Sequence, residues 1–253
     1  MPDTRARRRT LSDTVELLWA PHTREVGRTG RSVCDFVSAA IDLAESEGVD
    51  AVSMRNIAAR LEVRTMAIYS AIPSKQDLIA LMVDRAYADT YPNGTAPAVN
   101  DWRKGLGDVA EANHNVHLKH RWLLDIAPVR SLMGPHEAHK TELELRVLDG
   151  IGLSDIDMER ALSLVLTHVA QQARFGSQLL RERRDTGLDD DAWWGEALPG
   201  LSRVYDPSQL PVLMRVGTAA SVGKKTSKQS GFDFGLERIL DGIAALLTQP
   251  END

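Results

Sequence analysis

A single cysteine, Cys34, in 253 residues leaves no second thiol for a disulfide and no thiolate set for a zinc module. No apolar run approaches the roughly 18 residues of a membrane-spanning helix. The first 20 residues carry Arg5, Arg7, Arg8 and Arg9, but no apolar stretch ending in a small-residue cleavage site follows them. These absences predict a protein of the reducing cytoplasm, neither secreted nor held in a membrane. Aromatic residues make up only 5% of the chain, and no period-2 run of β-branched and aromatic residues is bounded by turn signals, so no sheet is expected. Catalytic signatures are missing too: there is no G-x-S-x-G, no Walker A and no H-E-x-x-H. Gly105-Leu106-Gly107-Asp108-Val109-Ala110 imitates a dinucleotide fingerprint but follows no plausible strand, so it reads as helix and no enzyme, cofactor or metal is expected.

What is present is 43% hydrophobic and 26% charged, the composition of an ordinary globular protein of one large or two smaller domains. The net charge of −6 speaks against a nucleic-acid partner at first sight, because lysine and arginine do the neutralising of phosphate. Its distribution weakens that objection. Residues 1–31 hold seven arginines against Asp3, Asp13, Glu16 and Glu25, whereas residues 93–253 hold 18 basic and 23 acidic side chains. One basic face is enough to meet a phosphate backbone.

Apolar residues recur at helical spacing almost everywhere, and the fold class read from them is all-α. Val33, Val37, Ala40 and Ala44, widened by Phe36 and Ile41, form one stripe from Ser32 to Glu47, with Gly48 at the position of a C-cap. Ser53 can cap a short helix to Arg60 or Leu61, and a third short helix spans Thr65 to Ala71. Ser74 with Asp77 reads as a capping box that opens a longer helix towards Tyr91. Residues 92–100 are rich in breakers and divide a module at 31–92 from a helical domain at 100–249, with 1–30 expected to be a basic, flexible arm. Further helices are expected near 101–119, 121–127, 135–150, 156–184, 207–219 and 232–248. The stretch Asp185 to Asp206 and the lysine-bearing stretch Gly223 to Gly231 are read as interruptions.

Ile57, Leu61, Val63 and Ile68 fall where two short helices crossing steeply must bury apolar residues, and Ala58 keeps that contact close. Thr65, Met66, Tyr69 and Ser70 are left facing outward, a polar and mid-sized set able to enter a major groove roughly 12 Å wide. A helical hairpin of this kind also occurs in proteins that bind no nucleic acid. The surroundings decide. Arg31, Val37 followed by Ala39-Ala40-Ile41, Leu43-Ala44 and Gly48, then Ser53-Met54-Arg55 with Ile57-Ala58, Ile68-Tyr69 and Ser74-Lys75 with Leu78, resemble the DNA-binding domain of the tetracycline-repressor (TetR) family. Asp101-Trp102-Arg103, Gly134-Pro135-His136-Glu137 and the segment Phe232 to Ile243 resemble the ligand-binding and dimerisation domain of the same family. The resemblance covers about residues 16–248, tightly in the first domain and in the last helix.

The resemblance implies a homodimeric, ligand-responsive repressor of a palindromic double-stranded DNA operator, with a small-molecule inducer. It places Ser53, Arg55, Arg64, Thr65, Met66 and Ala67 against DNA, and Tyr69 and Lys75 on phosphates. Lys75 also lies in a first helical turn, where free N–H groups and the helix dipole favour an anion. Glu62 stands where the family usually has glycine, and a left-handed backbone there would cost about 1 kcal/mol. Ala71 stands where an aromatic residue or histidine is frequent. The arginines at 5–9, with Arg24, Arg28 and Arg31, could lie along the duplex as replacement charge.

In the second domain, Met158, Leu162, Val165, Val169, Gln172, Gly176 and Leu179 alternate at spacings of four and three, and Leu236, Ile239, Leu240 and Ile243 add a face on the last helix. Either set could be intrachain core; the resemblance assigns both to the dimer interface. Asn113, His117, Trp122, His168, Gln171, Gln172 and Phe175 are the candidate ligand-binding residues, set in an expected apolar cavity with few polar anchors. His114, His117, His120, His136 and His139 invite a metal reading. A spacing of three turns successive side chains 60° apart and spreads them around the helix, so no metal is assigned. A helical interaction protein with a non-binding hairpin and, less so, a metal-binding helical protein remain the alternatives.

Overall fold

The computed structural model describes residues 10–126, 130–226 and 230–248. These residues contain helices and no strand, and none of the helices is long and apolar enough to cross a membrane. The chain begins with α1 (Leu11–Leu18), α2 (Val33–Glu47), α3 (Met54–Arg60), α4 (Thr65–Ala71) and α5 (Lys75–Tyr87). Ser32 starts α2 by accepting the Asp35 N–H at 3.3 Å while the Asp35 carboxylate accepts the Ser32 N–H at 2.7 Å, a reciprocal cap worth about 1 kcal/mol. Phe36, Val37, Ala40, Leu43 and Ala44 then recur on one buried stripe. Ile57 of α3, Ile68 of α4 and Leu78 and Met82 of α5 are fully buried against it and share one core with Phe36.

Between α3 and α4 the chain reverses through Glu62, whose φ of 56° is left-handed, and the Val63 N–H closes the turn on the Ala58 carbonyl at 2.9 Å. The left-handed conformation considered for Glu62 is therefore adopted. An L-residue there is strained by about 1–2 kcal/mol, against about 0.4–1 kcal/mol of unfolded-state entropy that a glycine adds. Glu62→Gly is thus expected to stabilise by roughly 0.5–1 kcal/mol. Thermal unfolding checks this, and an unchanged or lower midpoint would remove the strain argument.

The expected flexible arm at 1–30 requires correction from Thr10 onward. Thr10 and Asp13 form a capping box, Leu18 is buried against α5, and the Thr14 hydroxyl donates to Asp77 at 2.8 Å. Trp19 Nε1 donates to the Met133 carbonyl at 3.0 Å, so this segment bridges both halves of the chain. The arginines at 5–9 lie outside the described residues; Arg24, Arg28 and Arg31 are exposed.

The second half comprises α6 (Trp102–Lys119), α7 (Leu123–Ile126), α8 (Pro135–Leu145), α9 (Asp155–Thr186), α10 (Asp190–Val204), α11 (Pro211–Thr226) and α12 (Gly231–Leu247). Leu106, Val109 and Ala110 of α6 pack with Leu162, Val165 and Val169 of α9 and with Leu240 and Ile243 of α12. Of the two glycines that imitate a fingerprint, Gly105 is required by packing: a Cβ there would lie 2.1 Å from the Ala98 carbonyl oxygen, whereas one on Gly107 would meet open space. Arg103 links α6 to α12 through Glu237 and, at 2.7 Å, Asp241.

Two further expectations change. The stretch from Asp185 to Asp206 contains a helix, α10: Asp189 caps it by accepting the Ala192 N–H at 2.9 Å, and Asp190 and Asp191 occupy the first turn, where the dipole favours anions. The acidic run is a helix start. The lysine-bearing stretch is helical to Thr226 and its Lys228 lies outside the described residues.

The assigned dimer stripe changes as well. Leu162, Val165, Val169, Leu240 and Ile243 are at most 5% exposed within their own chain, and Met158, Leu236 and Ile239 pack against the same cluster. They hold α9 to α6 and α12 within the chain, with Met158, Leu236 and Ile239 only half-buried. Gln172, Gly176 and Leu179 are half-buried, and a Cβ on Gly176 would meet open space.

Candidate nucleic-acid interface and helical chamber

The hairpin built by α3 and α4 buries its isoleucines and leaves a continuous exposed face. Met66 is 74% exposed and Tyr69 42%, Arg55 and Arg64 are exposed beside them, and Thr65 and Ala67 are half-buried. Ser53 is half-buried and its oxygen accepts the Asn56 N–H at 3.1 Å, which leaves only its hydroxyl proton for an outside acceptor. Lys75 stands exposed in the first turn of α5. Among the described residues no carboxylate lies within ion-pair distance of Arg55, Arg64 or Lys75. The nearest anion along α5, Asp77, is 1% exposed and accepts hydroxyls from Ser74 at 2.7 Å and Thr14 at 2.8 Å. The face is therefore cationic: Asp77 is turned inward, and the exposed Glu62 of the turn lies within ion-pair distance of none of these three cations.

Four elements grip α5 at its other end. Asp84 accepts the N–H groups of His136 and Glu137 at 3.0 Å each, and His136 Nδ1 lies 2.8 Å away, so Asp84 caps the start of α8 from outside that helix. A Cβ on Gly134 would fall 2.3 Å from Asp84 Oδ1, which is why glycine stands there. His120, 3% exposed at the end of α6, places Nδ1 2.7 Å from Glu45 of α2 and Nε2 2.9 Å from Asp89 just beyond α5. Burial raises the Asp89 pKa, but hydrogen bonds from Lys119, His120 and Arg85 outweigh that and hold its carboxyl at about 2. The histidine run is thus dispersed: His114 and His117 face the helical interior, His120 and His136 pair with carboxylates, and His139 is exposed.

The candidate ligand residues do not all converge. Asn113 is committed to structure: its Nδ2 donates to the Val109 carbonyl at 2.9 Å and to Glu144 at 2.6 Å. Glu144, fully buried, also accepts Tyr91 Oη at 3.1 Å and Lys140 Nζ at 2.8 Å. Burial, then the charge of Glu144, pushes the Tyr91 phenol far up, which keeps it a donor. Trp122 is buried in the core of the first unit and its Nε1 has no partner. Gln171 and Phe175 require correction, since both are exposed on the outer flank of α9, Phe175 at 64%. His117, His168 and Gln172 are half-buried. His114, not among the sequence candidates for this role, joins them; its one visible signal is its position one turn before His117. A separate groove of about 510 Å³ lies on the other flank of α6, lined among others by Thr90, Tyr91, Pro97, Glu111 and Asn115.

Comparison with known proteins agrees with this division. Residues 36–82 match the family described as "Bacterial regulatory proteins, tetR family", and residues 96–247 match "Tetracyclin repressor-like, C-terminal domain". The HTH-type transcriptional repressor DrrR1 of Streptomyces coeruleorubidus is 32% identical over 247 residues, which span 94% of this chain and 87% of that protein. The crystal structure of apo ActR from Streptomyces coelicolor superposes with a TM-score of 0.68 at 23% identity, covering 88% of this chain and 98% of ActR. ActR in complex with actinorhodin gives 0.67 at 25% identity, covering 85% and 97%.

Proposed function

The chain belongs to the tetracycline-repressor family of DNA-binding transcriptional regulators, and from that premise we propose that it is a homodimeric repressor released from a palindromic operator by a small molecule. The exposed face of α3 and α4, with Arg55, Arg64 and Lys75 free of carboxylate partners, carries this reading. In it Ser53, Arg55, Arg64, Thr65, Met66 and Ala67 meet the major groove while Tyr69 and Lys75 hold phosphates. The left-handed Glu62 supports an intact hairpin, because it supplies the conformation the family's usual glycine supplies. Units at 31–92 and 100–249 divide the work of reading DNA and sensing the ligand.

Dimerisation is supported by apolar surface beside the four-and-three stripe rather than by the buried members of that stripe. Leu164 and Phe175 of α9 and Phe234 and Leu246 of α12 are exposed by 47–64%. Helix α10 buries no residue, and with α11 it exposes Trp193, Trp194, Leu198, Val204, Leu213 and Val216. Apolar surface of this extent marks an association face. A two-fold axis through it would set the two recognition helices about 34–36 Å apart or at a multiple.

ActR has been solved with actinorhodin, which supports a ligand-binding role for the matching helical unit. Coupling would run through α5, whose start carries Lys75 and whose end is held by Asp84 and His120. An inducer must bind the DNA-incompatible spacing of the two reading heads more tightly than the compatible one.

Selection from a random duplex pool, followed by salt titration, tests the function. The expected result is an enriched palindrome whose affinity falls steeply with salt. No enrichment by ligand-free protein would return the chain to the interaction-protein reading. Arg55→Ala is expected to weaken operator binding by about 1–3 kcal/mol, and Tyr69→Phe to weaken it less, with the dimer intact in both. Unchanged affinity in both variants would overturn the contact assignment.

A further inference from the structure

Three aromatic rings meet where α6, α9 and the first turn of α12 come together. The His114 and Phe232 ring centroids are 4.9 Å apart, those of Phe232 and His168 are 5.5 Å apart, and His168 Nε2 lies 2.9 Å from the Phe232 carbonyl oxygen. A Cβ on Gly235 would come within 2.3 Å of His168, so α12 leaves that imidazole no slack. The rings are tilted to one another, by 47° between His114 and Phe232 and by 32° between His168 and Phe232, so the junction presents an aromatic corner rather than a stack.

Its polar groups are unfinished. Nδ1 of His114 and Nδ1 of His117, one turn further along α6, are both buried with no hydrogen-bond partner. Buried polar atoms nearly always have a hydrogen-bond partner, so these two nitrogens are open to a water or a ligand. Both imidazoles titrate below the ordinary histidine range: burial lowers His114, while burial and then the charges of Lys140, His114 and Arg174 bring His117 down to about 4. The Lys140 charge is balanced by Glu144 at 2.8 Å. Arg174 is not balanced: its Nη2 donates to the Leu124 carbonyl at 2.6 Å, and no carboxylate among the described residues pairs with it. The surroundings are therefore positive and poor in acceptors.

We propose that the junction of His114, His117, His168 and Phe232, with Arg174 at its edge, binds a planar aromatic acid, the ring packing against these tilted side chains and the carboxylate or phenolate on Arg174. The neutral imidazoles present N–H donors to carbonyl or hydroxyl oxygens on the same ring system. A cationic ligand would meet Arg174 with no free carboxylate to compensate it. This inference rests on the reading of the second domain as the ligand-sensing one and adds the chemical class of the ligand.

The test uses the full chain without DNA and three probes of one shape: 1-hydroxy-2-naphthoate, its methyl ester and 1-naphthylmethylamine, each titrated by calorimetry. The acid is expected to bind at least tenfold tighter than the ester, and the amine not to bind. Arg174→Gln is expected to cost the acid tenfold or more and to leave the ester unchanged; His117→Leu is expected to weaken both. Thermal unfolding of each variant separates loss of the site from loss of the fold; the Arg174 substitution removes the 2.6 Å hydrogen bond to the Leu124 carbonyl and is expected to lower the midpoint slightly while leaving the chain folded. Equal binding of acid and ester, tighter binding of the amine, no binding of any probe, or indifference of the acid to Arg174→Gln each overturns the proposal. Operator release is measured separately. An acid that binds through Arg174 but leaves operator affinity unchanged sinks the inducer reading and spares the site, whereas an intact operator complex with no acid binding sinks the site alone.

Discussion

Glu144→Leu is expected to destabilise the protein by about 3–5 kcal/mol, the cost of leaving a buried cation without its partner. Three donors converge on this one fully buried carboxylate: Lys140 Nζ at 2.8 Å, Asn113 Nδ2 at 2.6 Å and Tyr91 Oη at 3.1 Å. Lys140 otherwise has the Tyr87 ring at 5.4 Å from Nζ and the more distant charge of Glu137, and neither is in ion-pair contact with it. Native stabilities are about 5–15 kcal/mol, so this single change should bring the chain close to unfolding. The double variant Lys140→Met with Glu144→Leu removes the stranded charge and is expected to recover most of the loss, since only the neutral donors of Asn113 and Tyr91 stay unmatched. Urea unfolding of both variants checks it. Equal destabilisation of single and double variants would mean that the ion pair is not what the carboxylate supplies.

The same network shows where sequence reading stops. Asn113 reads as a polar anchor for a ligand because its partner stands 31 positions away on α8, and no periodicity links the two. Local chemistry is legible where the deciding partners are near in sequence: Ser74 with Asp77, Ser53 as the cap of α3, and Glu62 in its left-handed turn all follow from neighbours a few residues apart. Capping at Thr10 and Asp189 obeys the same rules but is hidden, in one case by the surrounding arginines and in the other by an aspartate run and Trp193-Trp194. Pro199 inside α10 adds a breaker signal. The spread of the histidines follows from 60° steps around α6, yet their carboxylate partners Glu45, Asp89 and Asp84 come from other helices and have no sequence signal.

The dimer stripe misleads for a deeper reason. Spacings of four and three report a seam between two helices and are silent on whether both belong to one chain. Leu162, Val165 and Val169 make that seam with α6 and α12 of their own chain, and the surface proposed for a second copy lies beside it, at Leu164 and Phe175.

That displacement yields the other large effect. Phe175→Glu combined with Phe234→Glu places two charges on residues that are 64% and 55% exposed in the single chain and touch none of its buried clusters. Folding of the chain should be unaffected, because neither ring leaves a cavity. Association should fail, because charges brought into an apolar interface are desolvated, and Arg238, 5.4 Å from the Phe234 ring, can compensate only the one at 234. Sedimentation is expected to show the mass falling from twice 27.9 kDa to 27.9 kDa. A dimer holds its second reading head at an effective concentration in the millimolar range, so loss of the dimer should cut operator affinity by roughly 10²–10⁴-fold. Leu162→Ala gives the contrast: it removes a 5% exposed side chain from the core and should cost about 2–5 kcal/mol of stability, with operator affinity falling only as far as folded protein is lost. If the glutamate pair leaves the dimer whole while Leu162→Ala dissociates a folded chain, the heptad stripe is the interface after all, and α9 must turn its inner face outward when two copies meet.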